Sequence, residues 1–197
     1  MQFIQCYENA FSDDWCDEVV EKSEWYLGQE GRKEGKFLVD SQGRSTPDLA
    51  MQKIPEFKPL ADVFWKTIDE YYSNYKEKFP ILRSSPEHSA TDIKIRKITF
   101  DQDYSNRDWH YELQNHIVEI CGRVVTYTIY LNDVHEGGET AFAYQKIKIH
   151  PRKGMLVFFP TSYTHTHRGY PPIEPKTKWI VTGWMKWPVT RGGKPLD

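Results

Sequence analysis

The hydrophobic period of this chain changes once, and that change confines what it can fold into. Before Pro80 the apolar side chains recur at helical spacing, and after Pro86 they alternate. Leu60, Phe64, Ile68, Tyr71 and Tyr75 step by four, four, three and four, laying one apolar stripe along a helix over about 57–78. Ser12 ahead of Asp13 and Asp14 reads as a cap with acids in the first turn. Trp15, Val19 and Val20 follow at helical spacing, which predicts a helix over about 13–28. Pro80 and Pro86 end the helical part, because proline has no N–H to donate and clashes with the preceding turn. Beyond them Ile93 and Ile95 alternate with Lys94 and Arg96, and Val125, Tyr127, Ile129 and Leu131 alternate with Val124, Thr126, Thr128 and Tyr130. Lys146–Ile149, Met155–Phe159 and Trp179–Thr182 add further short strands, with Gly137-Gly138 and Lys153-Gly154 as turns between them. So many short strands with few intervening helices predict a mainly β protein with flanking helices, a sandwich or barrel of the jelly-roll type.

Residues 28–50 interrupt this pattern. They carry Gly28, Gly31, Gly35, Gly43 and Pro47 among mixed charges, with Phe37-Leu38-Val39 as one short strand. A loop of that length is more often functional than idle, so a lid over a site is expected here.

With 197 residues the chain suits a single domain, with helical support over about 1–80 and a jelly-roll core over about 91–187. Seven Trp, twelve Tyr and ten Phe mean that large flat rings must supply much of the buried area. A net charge of −2 offers no general attraction to phosphate backbones or anionic lipid, which disfavours nucleic acid as a partner. Cys6, Cys16 and Cys121 are an odd count without a Cys-x-x-Cys pair, so neither a disulfide framework nor a thiolate zinc site is indicated. The first residues lack a signal-peptide pattern, and no window nears the roughly 18 apolar residues of a membrane helix, so a soluble cytoplasmic protein is expected. Nothing in the sequence specifies an oligomer.

The chemistry concentrates in Trp109-His110-Tyr111-Glu112 and Thr164-His165-Thr166-His167-Arg168-Gly169. If residues 109–113 are extended, His110 and Glu112 project from one face and could share a metal. A second imidazole would come from His165 or His167, which period-two reasoning cannot separate. Two imidazoles and a carboxylate leave positions open on an octahedral ion, as dioxygen and a chelating cosubstrate need on Fe(II). The same donors suit zinc. On the last strand, 178, 180, 182 and 184 share a face, so Lys178 and Thr182 point inward together, which a purely structural core would avoid. His88, His116, His135 and His150 sit in loops, near polar turns or at a strand end.

The ordered series over residues 91–187 resembles the 2-oxoglutarate and Fe(II)-dependent dioxygenases, in their prolyl 4-hydroxylase-like branch. It comprises Tyr130-Leu131-Asn132-Asp133-Val134, Glu136-Gly137-Gly138-Glu139-Thr140, Pro151-Arg152-Lys153-Gly154, Val157-Phe158-Phe159-Pro160, His167-Arg168-Gly169, Lys178-Trp179, Thr182 and Trp184. The resemblance implies a double-stranded β-helix and Fe(II) held by His110, Glu112 and His167, the His-x-Gly context favouring His167 over His165. It further implies 2-oxoglutarate bound through Lys178 with help from the hydroxyls of Thr182 and Tyr130, dioxygen as cosubstrate, and ascorbate as a reductant. Arg123 is a substrate-side candidate and Trp184 packs near the cosubstrate. The implied reaction is hydroxylation of a C–H bond, most naturally of a prolyl residue in a peptide or protein. A zinc hydrolase on the same two His and Glu, and a non-catalytic jelly-roll binding module, are the competing readings. The chain departs from the family in having Glu112 where Asp is commonest. It also places Lys178 eleven positions after His167, slightly farther than is usual, the extra length falling in the proline-rich turn Pro171–Pro175.

Overall fold

The computed structural model describes residues 3–28, 37–39, 45–85, 87–101, 108–113, 122–188, 190–191 and 194–195. In chain order the elements are β1 (Gln5–Tyr7), α1 (Asp13–Leu27), β2 (Phe37–Val39), β3 (Ser45–Ala50), α2 (Lys58–Lys78), β4 (Ser89–Thr99) and β5 (Arg123–Tyr130). After these come β6 (Glu136–Gly137), β7 (Thr140–Phe142), β8 (Ile147–Ile149), β9 (Leu156–Pro160), β10 (His167–Gly169), β11 (Pro172–Glu174) and β12 (Thr177–Lys186). A last hairpin joins β13 (Thr190–Arg191) to β14 (Lys194–Pro195).

The helices form where the capping and the stripes require them. Ser12 Oγ accepts the Trp15 N–H at 3.2 Å, satisfying one of the orphan donors of the first turn of α1. On α2 the buried residues are Leu60, Ala61, Phe64, Ile68, Tyr72 and Tyr75. Tyr72, not Tyr71, carries the stripe past Ile68. Tyr71 is only half-buried, with its ring edge-on to Tyr7 at 5.0 Å, because a straight helix advances slightly more than seven residues in two turns.

A seven-stranded antiparallel sheet in the order β1-β9-β5-β12-β4-β3-β2 faces a smaller sheet in the order β10-β7-β8, the jelly-roll arrangement expected. Alternation on the large sheet feeds two cores. Ile93, Ile95, Tyr127, Ile129, Leu156, Phe158 and Val181 pack with Trp15, Val19, Phe64, Ile68 and Tyr75 of the helices. Tyr130, Val157, Phe159 and Ile180 point the other way and join Phe142 and Ile149 of the small sheet. Both faces of β4, β5 and β12 are thus covered, and the space between the sheets holds the site.

Two further segments depart from expectation. Ser45–Ala50 forms β3, pairing Leu49 with Ile95 on β4, although Pro47 and Asp48 are poor strand formers. The available edge of β4 overrides local propensity. Residues 29–36 and 40–44, where the lid was expected, lie outside the described residues, as do His116 and Cys121. The proline-rich stretch is no free turn. Its middle is β11, which pairs with β6 through Pro172 opposite Gly137.

Candidate metal centre and its cavity

His110, Glu112 and His167 come together through a single bridge instead of a continuous strand. The His110 N–H donates to the His167 carbonyl at 2.9 Å, the His167 N–H donates back at 2.9 Å, and the Glu112 N–H reaches the Thr161 carbonyl at 3.1 Å. One candidate ligand atom from each of the three side chains then lies within 4.8 Å of the others. This is a donor set that can hold one ion.

The two imidazoles are already oriented. His110 Nδ1 is 2.8 Å from the Asp108 carbonyl, and His167 Nδ1 is 2.9 Å from the His165 carbonyl. A carbonyl can only accept, so each Nδ1 donates a proton to it and Nε2 is left as the ring nitrogen that can ligate a metal. His167 Nε2 faces Glu112 Oε1 at 3.5 Å. Burial, and then His167, lower the pKa of His110. Burial works against the Glu112 carboxylate, but its contact with His167 and the fields of His110 and Arg123 hold it down to about 2. Both groups therefore stand in the forms that ligate metals. His165 is buried, with Nδ1 3.0 Å from Thr164 Oγ1, and takes no part in the triad.

The triad opens into a cavity of about 150 Å³ between the sheets. Along β12 it runs from Trp184, whose Nε1 donates to Glu112 Oε2 at 3.0 Å, past Thr182 and Ile180 to Lys178. Lys178 is 3% exposed and donates from Nζ to the Gly138 carbonyl at 2.8 Å. Among the described residues no carboxylate lies within ion-pair distance of it. Burial pushes its ammonium down to about 8, against the pull of Glu139. The carbonyl it uses belongs to a tight turn: Gly138 has φ +71°, and a Cβ there would stand 2.8 Å from Val134 Cγ1.

Hydroxyls line the floor. Tyr130 Oη and Thr140 Oγ1 are 2.7 Å apart, and Thr182 Oγ1 donates to the Tyr127 carbonyl at 2.9 Å. Thr126 Oγ1 is buried with no hydrogen-bond partner among the described residues. A buried ammonium without a carboxylate, a buried hydroxyl without a partner and an oriented donor triad share one cavity. They fit an ion together with an acid that chelates it at one end and is anionic at the other.

Of the residues singled out from the sequence, His110, Glu112, His167, Lys178, Thr182 and Tyr130 all line this cavity. Arg123, expected on the substrate side, instead donates from Nη1 to the Glu112 carbonyl at 3.1 Å. Thr126, Thr140, Lys94 and Arg96 were missed. Lys94 and Arg96 also line the cavity, Arg96 donating from Nε to Asp48 Oδ1 at 2.7 Å. Their signal was the alternation with Ile93 and Ile95, which marks a buried opposite face without saying whether its own face is wet.

Residues 95–186 match the 2OG-Fe(II) oxygenase superfamily. Over this span, just under half of its length, the chain is similar to that superfamily. The chain is 25% identical over 206 aligned positions to probable prolyl 4-hydroxylase 7 of Arabidopsis thaliana, covering 91% of this chain and 61% of that one. It is 28% identical over 137 positions to prolyl 4-hydroxylase 13 of the same plant, covering 56% of this chain and 48% of the relative. The chain thus spans about half to three-fifths of the length of these relatives. Its fold matches the 2OG complex of the viral collagen prolyl hydroxylase vCPH from Paramecium Bursaria Chlorella virus-1, with a TM-score of 0.66 at 21% identity over 94% of this chain and 96% of that one. It also matches a Pseudomonas putida prolyl-4-hydroxylase, with a TM-score of 0.62 at 15% identity over 98% and 95% of the two chains. No helix among the described residues is long and apolar enough to cross a membrane.

Proposed function

We propose that this chain is an oxygenase that uses Fe(II), 2-oxoglutarate and dioxygen to hydroxylate a prolyl residue in a peptide or protein, in the soluble cytoplasm and as a single domain. The observation that carries the reading is one cavity holding both an oriented His110–Glu112–His167 triad and a buried Lys178 that meets no carboxylate among the described residues. The relatives named prolyl 4-hydroxylase support the choice of substrate. So does a fold neighbour from Trichoplax adhaerens, a prolyl hydroxylase in complex with a hypoxia inducible factor peptide fragment, with a TM-score of 0.66.

His110, Glu112 and His167 would hold the metal, each imidazole through Nε2 because Nδ1 is engaged with a carbonyl. Bound Fe(II) supplies the redox chemistry, by which 2-oxoglutarate, dioxygen and a C–H bond become succinate, carbon dioxide and an alcohol, with ascorbate as the reductant that keeps the iron ferrous. The chain's own part is binding and exclusion. Lys178 neutralises the distal carboxylate of 2-oxoglutarate, and Tyr130, Thr140 and Thr182 offer hydroxyls beside it. Phe159 packs on His167 at 4.7 Å and Phe142 at 5.7 Å, walling the centre from water on that side. A zinc hydrolase leaves Lys178 without a task.

Anaerobic addition of Fe(II) and 2-oxoglutarate should produce a weak visible charge-transfer band that His167→Ala abolishes. Absence of the band from the wild-type protein would refute the reading. Succinate release against proline-containing peptides then tests the substrate, and turnover stimulated only by a proline-free acceptor would overturn that part.

A further inference from the structure

The carboxylate of Glu112 is held by two side chains outside the donor triad. Its Oε2 accepts the Trp184 indole N–H at 3.0 Å and lies 3.5 Å from Arg123 Nη1, while Oε1 faces His167. Arg123 Nη1 also donates to the Glu112 main-chain carbonyl at 3.1 Å, so one guanidinium grips both the backbone and the side chain of the same residue. The gripping groups support each other. Arg123 Cζ lies 3.4 Å from the centroid of the Trp184 ring, and Lys94 Nζ lies 4.4 Å from that centroid. Among the described residues Arg123 Nε has no hydrogen-bond partner, and the contacts that hold the guanidinium there are the indole and Glu112.

This arrangement answers a problem that Glu112 creates. Glutamate has one more methylene than aspartate, hence one more rotor and the reach to bring both oxygens onto an ion. An octahedral ion with three protein ligands keeps three positions for a chelating keto acid and dioxygen. A carboxylate binding through both oxygens would take one of them.

We propose that Trp184 and Arg123 are positioning residues that clamp Oε2 of Glu112, restricting it to one oxygen on the metal and keeping the remaining positions open. The inference rests on the metal reading above and extends it to two side chains outside the donor set. It also makes a counter-intuitive demand: aspartate at 112, though commoner at this place in the family, is too short to reach the metal and the indole at once, and so loses the clamp.

The test is anaerobic Co(II) binding to the full chain, followed by titration and by the ligand-field spectrum, in wild type, Trp184→Phe, Glu112→Asp and the double variant. Trp184→Phe keeps a flat ring but removes the donor. It should weaken Co(II) binding by about 10-fold, at the low end for a group orienting a ligand, and change the spectrum. In the Glu112→Asp background the same substitution should change neither. An equal effect in both backgrounds, or none in either, overturns the clamp. Arg123→Gln supplies the second reading: it should weaken Co(II) binding several-fold with Glu at 112 and not with Asp, and decides the matter if Trp184→Phe does not fold. His167→Ala separates the two levels. If it binds Co(II) like wild type, the metal reading itself fails; if it loses Co(II) while Trp184→Phe and Arg123→Gln keep wild-type affinity, only the clamp does.

Discussion

Lys178→Met should make the ligand-free protein more stable while destroying its affinity for 2-oxoglutarate. Lys178 is 3% exposed and burial depresses its ammonium to about 8 from a usual value of 10.5. That difference corresponds to about 3 kcal/mol disfavouring the charged form in the folded state, at neutral pH. Methionine fills a similar volume without the charge, but leaves the Gly138 carbonyl without its donor, at a cost of about 1 kcal/mol. The net gain is about 2 kcal/mol, which in a chain of this size raises the melting temperature by roughly 4–8 °C. The keto acid loses the buried ammonium proposed to face its distal end, and 2-oxoglutarate affinity should fall at least about 100-fold. The sign with pH follows from linkage. Between about 8 and 10.5 the unfolded chain binds the proton that the folded chain has released, so wild-type stability gains from this group as pH rises through that window. The advantage of Lys178→Met should therefore be large at pH 7 and shrink by pH 10. Thermal unfolding at both pH values, with anaerobic calorimetric titration of 2-oxoglutarate, measures all three effects. A variant that melts at or below wild type at pH 7, or whose advantage is the same at pH 10, refutes the reasoning.

Other perturbations have equally definite outcomes. Phe64→Ala should lose about 3–5 kcal/mol in urea unfolding, because Phe64 is fully buried between α2 and the large sheet; a loss below 1 kcal/mol would mean that this face is not the core. Gly138→Ala forces a side chain to φ +71° and against Val134, which should cost at least about 1–3 kcal/mol in stability and weaken 2-oxoglutarate binding by moving the carbonyl that Lys178 uses. Unchanged values of both would separate the turn from the ammonium. Thr126→Val removes a buried hydroxyl that lacks a partner and keeps the shape, so the ligand-free urea midpoint should rise by an amount worth about 1 kcal/mol, and a fall would mean that the hydroxyl is satisfied in solution.

What could be read in advance was whatever depends on local spacing. The cap at Ser12, the stripe from Leu60 to Tyr75 and the alternation on β5 each follow from the geometry of one element. That His110, Glu112 and His167 would lie together was legible because the resemblance supplies an order that local spacing alone does not. Tyr72 replaced Tyr71 on the buried face because helical phase drifts within a few turns. Ser45–Ala50 became a strand only because β4 offered it an edge, which no property of Pro47 or Asp48 announces.

Period, capping and turn chemistry thus determined the elements and their order, since these are properties of the chain over a few residues at a time. Tertiary structure alone decided that both faces of β4, β5 and β12 are covered. That turned Lys94, Arg96 and Thr126 from outward-facing residues into cavity walls and put Arg123 and Trp184 behind Glu112. Covering is done by residues far away in the chain, so the side that is wet depends on what packs there, and alternation by itself is symmetric between the two.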